Sequence, residues 1–247
     1  MKYAKMQEII IMKDVKRMGV SAGFYKKIQA WVTDDDAQLA FRPFQVDGNP
    51  YKSRMLLVGA VATPKIESNT TSEAVYIDAL VNGQLFDEIY GHEMKHQSRE
   101  YLGMMHFIGW VRQTFNNQVV ATYINTLQVK DVQELKLVRK ETPNLYKRGQ
   151  VIFQEVVEEF QPEFIVLHGT EAVQQFRMNF AEQLTDYYSQ VNKVQQLEEY
   201  GVFGELHCKN GHIIKVLACR SMSYYGKEGK VFQQFKDKIK SLYGPYQ

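Results

Sequence analysis

Four short apolar segments, each followed by a small or polar turn, most constrain how this chain can fold. They are residues 55–58, 119–124, 164–167 and 212–218, and stretches with helical character separate them. Continuous apolar runs of this length suit strands that are buried on both faces of a sheet. Strands that alternate with helices favour parallel connections. The sequence therefore predicts an α/β fold: a three-layer α/β/α sandwich around a central, mostly parallel sheet of four strands.

The length and composition indicate one globular domain. The chain has 247 residues and a net charge of 30 − 28 = +2, so no strong overall basic field marks it as a nucleic-acid binder. We interpret residues 1–247 as a single domain with an N-terminal helical lead that ends near residue 45. Residues 183–200 are polar and also expected to be helical.

Cellular location is predicted from what the sequence does not contain. No apolar run reaches transmembrane length, so we expect no membrane partner and a cytoplasmic location. The two cysteines, Cys208 and Cys219, make no disulfide framework, which favours a reducing compartment. The sequence does not indicate an oligomeric state.

Polar and small residues follow the four apolar segments. Because parallel strands end at one edge of a sheet, we expect these residues to lie together there, where open α/β sheets bind ligands. Small side chains such as Gly59 and Ala60 let the backbone approach a ligand closely. The residues expected at this edge are Gly59–Thr63, Asn125, His168 and Cys219–Ser221.

The segments LLVGAVATP, ATYINT, FQPEFIVLHGTEAV and VLACRSMSYYG occur in this order. In order and spacing they resemble the motifs of the uracil-DNA glycosylase superfamily. That family has a G-x-D/N-P turn, a strand ending in a base-reading Asn, a strand ending in Leu-x-Gly, and a His-Pro-Ser turn before the last helix. The NGQLF segment is similar to the family's Gly-x-x-Phe segment. The resemblance covers about residues 50–243 and implies a glycosylase-like fold with DNA, a nucleobase or a nucleotide as partner.

Two residues match the family's base-binding positions. Asn125 stands where the family reads the base, and an Asn amide can pair with both a carbonyl and an N–H of a pyrimidine edge. Phe86 stands where the family's aromatic ring stacks on the flipped base. The resemblance thus implies that ligand binding depends on Asn125. Structural alternatives remain open: Asn125 capping the next turn, and Phe86 as a core ring.

The catalytic positions depart from the family pattern. Val61 replaces the water-positioning Asp or Asn, and Cys219-Arg220 replaces the His-Pro pair, whereas Ser221 is kept. Val cannot orient water, and a Cys is a weak donor to the anionic base that leaves. The resemblance therefore implies binding at Gly59, Ala60, Val61, Phe86, Asn125, Cys219 and Ser221 with weak or no uracil excision, and without a cofactor.

An active DNA glycosylase with non-standard catalytic residues is the alternative within this family. Its candidate groups are Thr63, which would hold a water, Arg220, which would supply positive charge, and Ser221. Arg220 has a structural alternative, since a loop Arg is usually solvated. A Cys near a strand end, such as Cys219, is most often a small buried hydrophobe.

A second alternative comes from an H-E-x-x-H match at His92–His96. On a helix this spacing places two imidazoles on one face, with Glu93 as a base for a zinc-bound water and Glu100 one further turn along. It would make the chain a zinc metallopeptidase. Lys95 and the polar residues that follow favour a solvent-facing helix instead, so we predict no tightly bound zinc.

Overall fold

The structure is a computed structural model that describes residues 21–35, 38–66 and 72–244. Its described residues contain a mixed sheet of six strands in the order β2-β1-β3-β6-β5-β4. The strands are β1 (Met55–Ala62), β2 (Val119–Gln128), β3 (Phe164–His168), β4 (Leu184–Asp186), β5 (Val202–His207) and β6 (Ile213–Cys219). The predicted α/β class is confirmed, but the sheet is larger than expected.

Helices occupy most of the connections. In the described residues they are α1 (Ala22–Val32), α2 (Glu73–Val81), α3 (Gly83–Phe86), α4 (His92–Gln97), α5 (Arg99–Phe115), α6 (Val132–Glu141), α7 (Pro143–Phe160), α8 (Thr170–Asn179), α9 (Val194–Tyr200) and α10 (Gln233–Tyr243). Several begin at side-chain caps: the Ser72 hydroxyl accepts from Val75 N before α2, and the Ser98 hydroxyl accepts from Tyr101 N before α5.

The four predicted apolar segments form β2, β1, β3 and β6, and these neighbours pair in parallel. β1 and β2 each continue past the end expected from sequence. Gly59 pairs with Tyr123 and Val61 pairs with Asn125, so residues that look like turn formers lie inside paired strands. Ladder hydrogen bonds to a neighbouring strand outweigh the local turn preference of small residues.

The two additional strands correct the prediction of a four-stranded sheet. β5 pairs antiparallel with β6, and β4 pairs antiparallel with β5 at the sheet edge. They also correct the expectation of helix over residues 183–200, of which only α9 is helical. A three-residue strand is too short to show a periodicity, so its pairing is decided by the neighbouring strand.

The segment before β1 covers β2, the outer strand on the side of the sheet opposite β4. Phe41 bridges to Leu127 and Gln45 bridges to Ala121, both antiparallel. This pairing protects the outer edge of β2 from association with other strands. Within the predicted N-terminal lead, α1 is helical and residues 39, 41 and 45 form isolated bridges, whereas residues 1–20 lie outside the described residues.

Hydrophobic clusters cover both faces of the sheet. Leu56 and Val58 of β1 pack in one cluster with residues of α1, α2, α7 and α8. Met55 and Leu57 pack in the other cluster, with residues of α5 and α10. Alternate strand residues point to opposite faces, so β1 contributes to both clusters. In the described parts of the chain, no helix is long and apolar enough to cross a membrane.

Candidate functional site

The carboxyl ends of the four parallel strands lie side by side. We call this end of the sheet its carboxyl edge. Val61 and Asn125 are register partners across β1 and β2, and His168 and Cys219 are register partners across β3 and β6. The structure thus brings the four predicted strand ends together, in the place where open α/β sheets bind ligands. Which side chains remain available there depends on their contacts.

Asn125 is wholly buried and both ends of its amide are occupied. Its Nδ2 donates to the carbonyl of Tyr146 at 3.0 Å, and its Oδ1 accepts from Leu127 N at 3.1 Å. A Cβ added to Gly149 would lie 2.2 Å from the same Oδ1. The amide therefore holds the first half of α7 against β2. In contrast to the base-reading role implied by the resemblance, it has no free hydrogen-bonding edge.

Phe86 is also wholly buried, at the end of α3. Its ring packs against Tyr90, with centroids 5.1 Å apart. No face of the ring is open to a flipped base. The expected stacking residue is therefore placed as a core side chain, since a short apolar helix next to the sheet buries its largest ring.

The first strand offers backbone and apolar groups. Val61 is buried and Ala60 is partly buried, both against the cluster that contains Leu56. The Thr63 carbonyl accepts a hydrogen bond from the Arg42 guanidinium at 2.9 Å. The Thr63 carbonyl is therefore already hydrogen-bonded to the Arg42 side chain.

Gly59 is required for a close approach between strands and side chains. A Cβ at this position would lie 3.0 Å from His168 Nε2 and 3.0 Å from Tyr123 Cδ1. The absence of a side chain therefore makes room for the His168 ring across β1. The glycine serves packing within the sheet rather than the ligand turn expected from sequence.

The turn after β6 is tied to the protein. Cys219 is wholly buried, and this burial, reinforced by Glu198, raises the pKa of its thiol well above the usual value. The Arg220 guanidinium lies 2.8 Å from Glu198 Oε1, and Arg220 Nη2 also donates to the Val231 carbonyl at 2.8 Å. Cys219 is thus a neutral thiol, and Arg220 is already paired with a carboxylate.

His168 and Glu100 form a pair that the sequence did not indicate. The buried His168 Nδ1 lies 2.9 Å from Glu100 Oε1, and Glu100 also contacts the Ser221 side chain. Burial alone would raise the pKa of the Glu100 carboxyl, but His168 and Ser221 hold that pKa below its usual value. Ser221 Oγ also accepts from Ser223 N at 3.2 Å, so this serine caps the turn that follows.

Arg42 is the side chain that sequence reasoning missed. It is 1% exposed, and its guanidinium contacts Thr63 O, Met94 Sδ at 3.4 Å and the Tyr123 ring at 4.9 Å. Its Nε has no hydrogen-bonding partner in the structure. It lies in an irregular stretch with no motif, so only the folded chain brings it to the β1 end. We call Arg42, Glu100, Tyr123, His168 and Ser221 the edge cluster.

The H-E-x-x-H residues lie on the short helix α4. His92 and His96 are exposed, with ring centroids 4.5 Å apart. Glu100 does not continue that helix but begins α5 and contacts His168. Among the residues that the structure describes, no group of three or more His, Cys, Asp or Glu side chains could hold a metal ion.

The β6–α10 loop, residues 221–231, is the exposed part of this edge. Its base is anchored: Met222 is wholly buried, and a Cβ at Gly103 of α5 would lie 1.9 Å from the Met222 carbonyl. His106 Nδ1 lies 2.7 Å from the Gly226 carbonyl. Two apolar side chains of the loop point to solvent, Tyr224 at 68% exposure and Val231 at 56%.

The same loop carries charge and a shallow cavity of about 320 Å³. Lys227 and Lys230 are exposed along it, and Glu228 pairs with Lys230 at 3.1 Å. The arrangement combines an exposed aromatic ring with net positive charge on an anchored scaffold.

Comparison of the sequence with models of protein families finds no match, and comparison with curated proteins finds none either.

Proposed function

We propose that this chain is a divergent uracil-DNA glycosylase-like protein that binds nucleic acid through the β6–α10 loop and excises uracil weakly or not at all. The sequence motifs that resemble the family occur in order on four neighbouring parallel strands, which supports a fold of that type. The loop follows the last of these strands.

The observation that carries the proposal is the exposed Tyr224 beside Lys227 and Lys230. An aromatic ring offers a stacking surface to any base, worth about 1–3 kcal/mol per base, and lysines attract the phosphate backbone. The loop is held at its base by Met222, so little ordering would be needed when a ligand binds. Single-stranded nucleic acid, whose bases are free to stack, is therefore the preferred ligand.

Weak excision is expected from the residues that stand at the catalytic positions of the uracil-DNA glycosylase superfamily. Val61 has no polar group, Cys219 is a neutral buried thiol, and Arg220 is paired with Glu198. General-acid or electrostatic groups are commonly worth on the order of a hundredfold each in rate. Without them, and with the Asn125 amide used inside the fold, binding is the function that remains.

The test is fluorescence anisotropy with a uracil-containing single-stranded oligonucleotide and its duplex, alongside a base-excision assay. We expect the single strand to bind more tightly, with an affinity that falls as salt rises. Tyr224→Ala should weaken binding about tenfold, the equivalent of one lost stacking contact. Tyr187→Ala, at an exposed tyrosine beyond β4, is the matched control and should leave affinity unchanged.

Two outcomes would overturn the proposal. Robust uracil excision by the wild type would show that the chain is an active glycosylase with other catalytic residues. Equal affinities of the wild type and Tyr224→Ala would show that the loop is not the binding surface.

A further inference from the structure

The described residues form a cavity of about 420 Å³ that shares no lining residue with the edge cluster. It is a groove between residues 45–47, α3 and α5, and it reaches Val119, the first residue of β2. None of its lining residues belongs to the β6–α10 loop, the proposed nucleic-acid surface. Its volume is in the range of small-molecule sites.

Charged side chains of both signs line this groove. Arg112 Nη1 donates to Asp47 Oδ2 at 2.8 Å, and Lys95 Nζ donates to Asp87 Oδ2 at 2.8 Å. Each cation uses only part of its donor capacity in these bonds, and each carboxylate keeps free lone pairs. All four side chains are at least one third exposed, so a ligand can reach them.

The rest of the groove combines apolar side chains with two glutamines, Gln45 and Gln84. Val46, Met105, Ile108 and Val119 contribute to its lining. A ligand that combines opposite charges with an aliphatic part would complement both the charged and the apolar lining residues. A purely anionic ligand, such as a phosphate, would meet two carboxylates at close range, which disfavours it.

Gly109 lies in the lining of the groove and borders open space. It lies inside the 17-residue helix α5, and a Cβ at this position would meet nothing within 4 Å. A glycine inside a helix costs about 1 kcal/mol relative to alanine. No neighbouring atom would clash with a Cβ at Gly109, whereas a Cβ at Gly103 of the same helix would lie 1.9 Å from the Met222 carbonyl. What the glycine provides is empty space in the groove.

We infer that the groove binds a small zwitterion of the amino-acid or dipeptide class with an aliphatic side chain. Its carboxylate pairs with Arg112 and Lys95, and its ammonium group pairs with Asp47 and Asp87. The aliphatic part lies on Ile108 and the other apolar lining residues. The inference goes beyond the proposed function and does not depend on it.

The test uses isothermal titration calorimetry of the full chain with L-leucine and alanyl-leucine as probes. We expect at least one of them to bind with a Kd of about 1 mM or below. N-acetyl-leucine lacks the ammonium group and leucinamide lacks the carboxylate. Each should bind at least about tenfold more weakly than L-leucine, because one ion pair is missing.

Two glycine variants locate the site. Gly109→Met places a long side chain in the groove and should abolish binding, whereas Gly109→Ala should keep the affinity within about threefold. Both replace glycine by a better helix former, so both should fold. Oligonucleotide affinity should be the same in both.

Three results would overturn the inference. One is the absence of heat from both probes, and another is equal binding of L-leucine and its two blocked forms. The third is unchanged probe affinity in Gly109→Met, which would place any binding elsewhere.

Discussion

His168 and Glu100 meet at the carboxyl edge of the sheet, with Nδ1 of the imidazole 2.9 Å from Oε1 of the carboxylate. The contact joins the end of β3 to the first turn of α5. Glu100 also contacts Ser221, so the same carboxylate reaches the start of the β6–α10 loop. One acidic side chain thus connects three elements at the edge where the strands end.

The first prediction concerns the pH dependence of stability. The pKa of Glu100 is lower in the folded protein than its usual value, so its ionised form stabilises the fold above the unfolded pKa of about 4.3. This stabilisation is lost as the pH falls through the folded pKa. Glu100→Gln should therefore lower the free energy of unfolding near neutral pH by on the order of 1 kcal/mol, since the side chain is 43% exposed and partly screened.

Urea denaturation from pH 7 to pH 3 measures this effect. The difference between wild type and Glu100→Gln should shrink on the acid side. Glu141→Gln, at an exposed residue at the end of α6, is the control and should follow the wild type. A constant difference across the whole range would contradict the role assigned to the carboxylate.

The second prediction compares two glycines that both lie inside helices. In Gly149→Ala the new Cβ would lie 2.2 Å from Asn125 Oδ1, so α7 must move away from β2 and we expect a loss of about 2–3 kcal/mol. In Gly109→Ala the new Cβ meets nothing, and we expect a gain of up to about 1 kcal/mol. Chemical denaturation of both variants measures the difference, and changes of the same sign would count against the described packing.

The third prediction separates the structural role of Asn125 from base reading. Asn125→Ala removes two buried hydrogen bonds, leaves Leu127 N without its Oδ1 partner, and should cost about 2–4 kcal/mol. Oligonucleotide affinity, measured at a temperature where the variant is folded, should match that of the wild type. A stable variant with lost affinity would instead restore Asn125 as a base-reading residue.

The fourth prediction tests whether Arg220 is a structural partner of Glu198. Arg220→Met should destabilise the protein by about 2 kcal/mol, because the largely buried Glu198 carboxylate loses its counter-charge. Arg220→Met combined with Glu198→Leu should recover much of this loss. Thermal unfolding of the single and double variants measures the coupling. Additive losses would argue against the pair and would leave Arg220 available for another role.

The pattern of residues along the chain is enough to predict the α/β class and the four parallel strands. Runs such as residues 164–167 are short, apolar at every position and bounded by Pro162 and Gly169, which favours a strand covered on both faces. Local chemistry also determined the start of α2, where Ser72 caps the helix, and its end at Asn82-Gly83. These features depend on side chains close together in the chain, so a pattern along the chain can reveal them.

The tertiary structure alone decided how far β1 and β2 extend, how β4 and β5 pair, and which groups each edge side chain contacts. In the sequence Asn125 looks like a free amide after a strand. In the fold Val61 pairs with its backbone, its Nδ2 donates to Tyr146 O of α7, and its Oδ1 accepts from Leu127 N of β2. Arg42, Glu100 and His168 come from distant parts of the chain. Hydrogen-bonding partners and burial are properties of residues that meet only after folding, and no local pattern encodes them.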